Sequence, residues 1–580
     1  MVVINKEGVR CYPFGVMSLF LKNIQVMGKK IINLSESISL MLVVFALSAM
    51  MSSCGSPKVE VEPFSDSVER DIEILSSDEF EGRAPATPGG IRARDYIRER
   101  FTEIGLKPGN GDSFLQAVPL VEVDGSDFSP LRIDGSGFSL SFDYLDDMII
   151  GSYRLEDRID IDGSEMVFVG YGVVAPEYGW NDYEGIDVEG KTVVILVNDP
   201  GFATGDDEIF TGRAMTYYGR WTYKFEEAAR QGATAALIVH QTEPASYGWD
   251  VVRNSWSGTQ YGVVTNGNID KLPAEGWIQE PVAERIFSEA GLDFHEAAAA
   301  AASREFRAIA LGTTASMSFN NSFKHSECHN VIGYIEGADY PEETVIYMAH
   351  WDHLGMVETE SGVDIYNGAV DNATGVAALF AIAERFMAGE APGRSVVFMA
   401  VTAEESGLLG SRFYSENPLF PIETTVAGIN MDGLNVYGPT HDVISVGYGF
   451  SELEEYLKRH AADQSRVVNP NPYPERGYYY RSDHFNMARM GVPMLYTNGG
   501  KDFIGKDEEY TRKVEADWAA RYHMPTDVIH DMWNFDGIHQ DLWLFYNIGK
   551  EIANSDSFPN WVEGNEFRAV RDVTQNLRRR

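Results

Sequence analysis

From Asn330 onward the chain alternates two apolar patterns, and this alternation limits its fold more than any other feature. Thr344 to Ala349, Val396 to Val401 and Val426 to Met431 are short continuous apolar runs. Val492 to Thr497 is a fourth, with Pro493 near its start, where a strand tolerates proline. Such runs read as strands buried on both faces. Thr374 to Met387 carries the helical spacing of an amphipathic helix between the first two. Buried strands joined through helices predict a parallel sheet covered on both sides, and so an α/β class.

Upstream the texture differs. Val68 to Leu75 reads as a helix, and Ile91 to Ile104 as another, with Ile91, Tyr96, Ile97 and Phe101 on one face and Gly105 at its end. Gly82 to Gly90, rich in Gly and Pro, reads as the loop between them. From about Phe114 to Ile309 strands and turns dominate, with Met166 to Val174 and Lys191 to Val197 as β-branched runs bounded by glycines. Phe225 to Gly232 is expected to be a short helix and Ala233 to His240 a strand. No segment of this region clusters His with carboxylates at ligand spacing. The organisation expected is a leader over 1–54, a tether and opening helices over 55–114, and an inserted β-rich domain over 115–310. The main domain then covers 311–560, followed by a tail over 561–580.

The leader has its own logic. Lys29-Lys30, the apolar run Leu40 to Met51 and the small residues Ser52-Ser53 make a secretory signal. The run is shorter than the ~20 residues of a membrane-spanning helix. Cys54 directly after Ser52-Ser53 resembles a bacterial lipobox, with Met51 standing where Leu is usual. That resemblance implies export and a lipid anchor at Cys54 on the bacterial envelope, the chain's only expected contact with a membrane. Met1 to Val26 fits no part of a signal, so translation is expected to start at Met27, which would leave Cys11 untranslated.

Composition removes whole classes of partner. The 47 Lys and Arg against 87 Asp and Glu leave a net charge of −40, which argues against nucleic acid and against a basic face on anionic lipid. Cys11, Cys54 and Cys328 are the three cysteines, too few for a disulfide framework or a four-cysteine zinc site. A metal would have to be held by His, Asp and Glu.

Those residues sit where an α/β sheet gathers its chemistry, just past the carboxyl ends of strands. His350-Trp351-Asp352-His353 follows the first apolar run, and Asp371-Asn372 opens the next helix. Glu404-Glu405 follows the second run, Asp432 the third, and Tyr522-His523 comes later. Imidazole and carboxylate are ligands that zinc accepts. Two histidines and three carboxylates suit a pair of zinc ions sharing one carboxylate. In the Glu-Glu doublet one carboxylate could bind metal while its neighbour stays free as a general base. Singly each has an ordinary reading: a surface pair for His350-x-Asp352, a solvated helix start for the doublet, a turn former for Asp432, an N-cap for Asp371, a core histidine for His523. Their order, each just beyond a buried strand or at a helix start, favours the shared one.

In this order the motifs His350-x-Asp352, Asp371-Asn372-Ala373-Thr374-Gly375, Glu404-Glu405, Asn430-Met431-Asp432 and Tyr522-His523 resemble the M28 family of zinc peptidases. The resemblance spans roughly residues 320 to 555 plus the helices at 65–110. It implies a zinc-exopeptidase fold, a mixed and largely parallel sheet flanked by helices. Val169-Gly170-Tyr171-Gly172, Tyr183 to Lys191 and Asn198-Asp199-Pro200-Gly201 resemble the protease-associated domain often inserted in such enzymes.

Carried over, the resemblance implies two zinc ions per chain. His350 and Asp432 would bind one, Glu405 and His523 the other, and Asp371 would bridge them. Glu404 would be the general base, Tyr522 an oxyanion donor, and Asp352 a carboxylate that orients His350. Ser482-Asp483-His484 would line the cleft, and His353 would be a loop or core histidine with no ligand role. The function implied is di-zinc hydrolysis of peptide bonds, foremost as an aminopeptidase acting on peptides. A glutamate-type carboxypeptidase is the first alternative, and Arg476 and Arg481 are candidates to seat its substrate's terminal carboxylate. A one-zinc glutaminyl cyclase or an inactive receptor-like binding protein on the same fold are the others.

Overall fold

The computed structural model describes residues 61–360 and 362–578, and also a separate antiparallel strand pair, Val2–Asn5 with Gly8–Cys11. The apolar run of the leader and Cys54 lie outside the described residues. Among the described residues no helix is long and apolar enough to cross a membrane.

The main sheet follows the apolar runs. Tyr340–His350 lies between Arg394–Val401 and Thr425–Asn430, parallel to both. Met494–Gly499 extends the parallel set beside Thr425–Asn430. Asp442–Val446 then pairs antiparallel with it, and on the other side the far end of Ile309–Ile335 runs antiparallel to Arg394–Val401, with the short strand Lys107–Pro108 beyond it. The sheet is therefore mixed and largely parallel. In register, His350 faces Val401 and Met348 faces Asn430, so three neighbouring strands end level with one another.

Alternate residues of Tyr340–His350 enter different cores. Val345, Tyr347 and Ala349 join the core beneath Thr374–Met387 and Asp536–Ala553, while Ile346 and Met348 pack on the opposite face with Tyr414, Met487 and Val492. Each fully buried aliphatic or aromatic side chain of this kind contributes about 1.5–3 kcal/mol. Tyr347 reaches across to donate to the Phe545 carbonyl at 2.9 Å. The opening helix Val68–Leu75 packs Val68, Ile72 and Leu75 into the same core as Thr374–Met387, and the helix Pro88–Ile104 covers that helix through ring contacts of Phe380 with Tyr96 and Phe101.

Most element positions agree with the sequence patterns to within a few residues. The second helix begins three residues before the apolar stripe, at Pro88. Proline fits the first helical position, and the Thr87 side chain caps the end by accepting from Gly90 N at 3.2 Å.

The region 115–310 departs further from its expected texture. Leu115–Ser126 runs antiparallel to Asn320–Val331, making a long ribbon that leads out of the main sheet and crosses the expected boundary at 310. Beyond it Arg158–Phe168, Thr192–Leu196, Ala235–His240 and Ala274–Gln279 form a parallel set, with helices Trp221–Arg230 and Glu280–Glu289 packed on it. The insert thus carries more helix than the single short one expected at Phe225 to Gly232. Its strand ends at Phe168 instead of running to Val174, because Gly170 and Gly172 turn the chain at φ +57° and +61°. The fold also gathers a trio here, half-buried Glu280 with exposed Glu284 and His295, which the sequence spacing did not reveal because two helices contribute to it.

Candidate active site

The level strand ends place the chemistry along one edge of the sheet. His350 is the last residue of its strand and is buried. Its Nδ1 faces the Asp352 main-chain oxygen at 3.1 Å, which leaves Nε2 to point into the site. Nε2 lies 3.2 Å from Asp371 Oδ1 and 3.2 Å from Asp432 Oδ1. The other oxygen of Asp371, Oδ2, lies 3.2 Å from His523 Nε2, and Glu405 Oε2 lies 3.1 Å from the same nitrogen. One carboxylate therefore joins two donor sets: His350, Asp371 and Asp432 on one side, Asp371, Glu405 and His523 on the other. The donors can also be grouped as His350 with Glu404 and Asp432, and His353 with Asp371 and Glu405. The first grouping is preferred because Asp371 turns a separate oxygen toward each histidine.

The loops that carry these groups are tied to one another. The Asp527 carboxylate accepts from the Val370 and Asp371 amides at 3.0 and 3.1 Å. Asn372 donates to the Met431 carbonyl at 2.9 Å and accepts from Gly375 N and Gly433 N, which fixes the Asp371 loop against the one bearing Asp432. It is the Asn372 side chain, and not that of Asp371, that accepts an amide from the first turn of this helix. Gly375 is required by close approach, since a Cβ there would collide with the Met431 carbonyl. Ser482 donates to Asp432 Oδ2 at 2.6 Å and so holds that carboxylate from the other side.

The partners of Asp352 and His353 add detail that the sequence did not show. The Asp352 carboxylate is 3.9 Å from His350 Nδ1, and it is the main-chain oxygen that meets the imidazole. The carboxylate instead accepts the amides of Glu404 and Glu405 at 3.1 and 3.4 Å, fixing the doublet's backbone. His353 is buried, as a core histidine would be, and its Nδ1 lies 2.6 Å from Glu405 Oε1. Sequence spacing could not reveal this, because the contact spans two strands. Asp483 and His484 are buried behind the site.

Environment divides the doublet. Burial pushes the Glu404 carboxyl well above its usual range; His350 opposes this, and the Glu405 and Asp432 charges add to it. Glu405 is buried too and beside Asp371, yet His353 and His523 hold it below its usual value. Burial works against a charged His523, but Asp371 and Glu405 raise it to about 10. Tyr522 stacks on His523 with ring centres 3.9 Å apart. Burial and the carboxylates keep its phenol protonated and able to donate.

Buried carboxylates crowded around two imidazoles demand cationic compensation. The hard and borderline donors, with no thiolate among them, fit zinc-like ions. The α/β sheet delivers these donors to the place where such sheets gather their ligands, past the carboxyl ends of the strands. Residues 330–546, less than half of the chain, match the model of peptidase family M28.

The mouse aminopeptidase NAALADL1 is 34% identical over 127 residues, which is 21% of this chain and 16% of that protein. The probable glutamate carboxypeptidase LAMP1 of Arabidopsis thaliana is 26% identical over 302 residues, 47% of this chain and 41% of its own length. The chain thus spans less than half of either relative. Among solved structures, the aminopeptidase of Aneurinibacillus sp. strain AM-1 aligns with 85% of this chain and 95% of its own, at 18% identity and a TM-score of 0.46.

Proposed function

We propose that this chain is a di-zinc exopeptidase that removes N-terminal residues from peptides. The observation that carries the proposal is the Asp371 carboxylate, with one oxygen 3.2 Å from His350 and the other 3.2 Å from His523. On this reading His350 and Asp432 hold one zinc, Glu405 and His523 the other, and Asp371 both. When bound, such ions lower the pKa of a water and polarise a carbonyl. Glu404, half-buried and free of any metal duty, takes the water's proton and hands it to the departing amine. Tyr522 donates to the oxygen on which negative charge develops. Asp352 keeps Glu404 in place through its amide.

The aminopeptidase preference draws on the names of the mammalian relatives. A second reading, a carboxypeptidase, is favoured by one feature of the insert, which we read as a protease-associated domain. Arg220 Nε is buried with no hydrogen-bond partner, and burial together with the neighbouring Arg481 charge lowers its pKa to about 10. Two cations forced together this way suit a substrate carboxylate.

The test is a panel of aminoacyl, blocked-peptide and N-terminal glutamine substrates, with and without 1,10-phenanthroline. Aminoacyl substrates are expected to turn over, to stop with chelator and to recover with zinc. Undiminished turnover by metal-free protein would overturn the proposal. Cleavage of N-blocked peptides, lost selectively in Arg220→Met, would establish the second reading instead.

We also read Cys54 as an acylation site on an exported protein. Cys54→Ala is expected to move the protein from the membrane pellet to the soluble fraction. Mass spectrometry finding an unmodified N-terminus other than Cys54 in the wild type rejects this.

A further inference from the structure

The segment between the two opening helices touches none of the reacting groups, yet it grips the loops that carry them. The Arg83 side chain is buried, and its guanidinium is spent entirely on main-chain carbonyls. Nε donates to Trp351 O at 2.9 Å, Nη1 to Leu75 O at 2.7 Å and Asn367 O at 2.6 Å, and Nη2 to Gly368 O at 2.8 Å. Trp351 directly follows His350, and Gly368 lies three residues before Asp371. The main chain adds a tie, since His353 N donates to Arg83 O at 3.4 Å. Glu81, Gly82 and Arg83 all hold positive φ, and a Cβ on Gly82 would collide with the Gly355 and Tyr366 carbonyls. The exposed Asp78 supports the same loop, accepting from Asn367 Nδ2 at 2.8 Å.

We propose that Arg83 is a positioning residue of the metal centre, which fixes the spacing of the His350 and Asp371 loops by bridging their carbonyls. Its fork is what suits it. A planar guanidinium can donate in three directions at once, whereas a lysine ammonium is a point charge on a flexible stem. Four carbonyls in an arc would repel without it, and the loops would separate by the small distances that decide whether one carboxylate can serve two donor sets. Groups behind the ligands commonly control metal affinity in this way.

The inference rests on the metal-binding reading above, and the experiment separates the two. Full-length wild type, Arg83→Met, Arg83→Lys and Asp78→Ala are titrated with zinc against a chromogenic chelator. Cobalt-loaded samples are compared by electron paramagnetic resonance for coupling between the two ions. Folding is checked by near-ultraviolet circular dichroism. Arg83→Met is expected to lose about 10- to 100-fold in zinc affinity, with kcat falling and KM holding. Coupling between the cobalt ions is expected to weaken. Arg83→Lys is expected to regain only part of either quantity. Asp78→Ala, an exposed change, is expected to lose a few-fold.

Wild type that binds no zinc would sink the metal reading itself. A folded Arg83→Met with wild-type zinc affinity overturns the positioning role alone. Full rescue by lysine also overturns it, in favour of simple charge balance. Should the Arg83 variants fail to fold, unchanged zinc affinity and cobalt coupling in Asp78→Ala overturn it.

Discussion

Glu404→Gln is expected to keep both metal ions and to lower kcat by about two to four orders of magnitude, the range for losing a general base. Glu405→Gln is expected to lose metal. The contrast follows from the contacts of two adjacent carboxyls. Glu405 is fixed between His353 Nδ1 at 2.6 Å and His523 Nε2 at 3.1 Å, and those imidazoles keep it ionised, as a ligand must be. Glu404 has no such imidazole contact, and burial raises its pKa. A raised carboxyl is matched to accepting a proton in one step and giving it back in the next. The measurement is metal content by inductively coupled plasma mass spectrometry beside steady-state kinetics. Metal loss in Glu404→Gln with metal retention in Glu405→Gln would mean that the roles are reversed. That result would select the alternative grouping of Glu404 with His350 and Asp432.

What the sequence revealed here, it revealed through periodicity and position. The run Thr344 to Ala349 announces a strand buried on two faces, and Tyr340–His350 is one. The helix Thr374–Met387 is bounded as its pattern indicates. The ligand candidates could be found because strand ends in such a sheet are where functional groups collect, and that rule needs only the order of elements. What stayed hidden depends on contacts between distant segments. Arg83 reads as a loop residue until its fork is seen to meet carbonyls 268 to 285 residues away. Asp527 is one more acidic residue after His523 until it accepts two amides of the Asp371 loop. His353 sits beside two residues with assigned roles, and only the neighbouring strand brings Glu405 to it. The pairing within the insert was not legible for a related reason: short buried strands do not show their partners when read singly, and the long strand Ile309–Ile335 leaves no break in composition at the boundary.

The most severe expected loss comes from one isosteric change, Asp371→Asn. Asparagine keeps the shape and the backbone ties to Asp527, so the loop should hold its place and near-ultraviolet circular dichroism should match wild type. What changes is the second oxygen. Asp371 presents Oδ1 to the His350 side and Oδ2 to the His523 side. An amide can offer an acceptor to one side only and must turn N–H donors toward the other. Removing one charge from a buried, mutually compensating set typically costs about 3–5 kcal/mol, which at 1.4 kcal/mol per tenfold is two to nearly four orders of magnitude in metal affinity. The second metal equivalent should then be absent at micromolar zinc, and activity should fall at least as far as in Glu404→Gln. Added zinc should restore little, because the missing acceptor cannot be supplied by mass action alone. Asp432→Asn is the control: Asp432 serves only the His350 side, so it should weaken one equivalent and leave the other. Two tightly held equivalents in Asp371→Asn, with kcat near wild type, would show that no shared carboxylate is needed and that the two donor sets work independently.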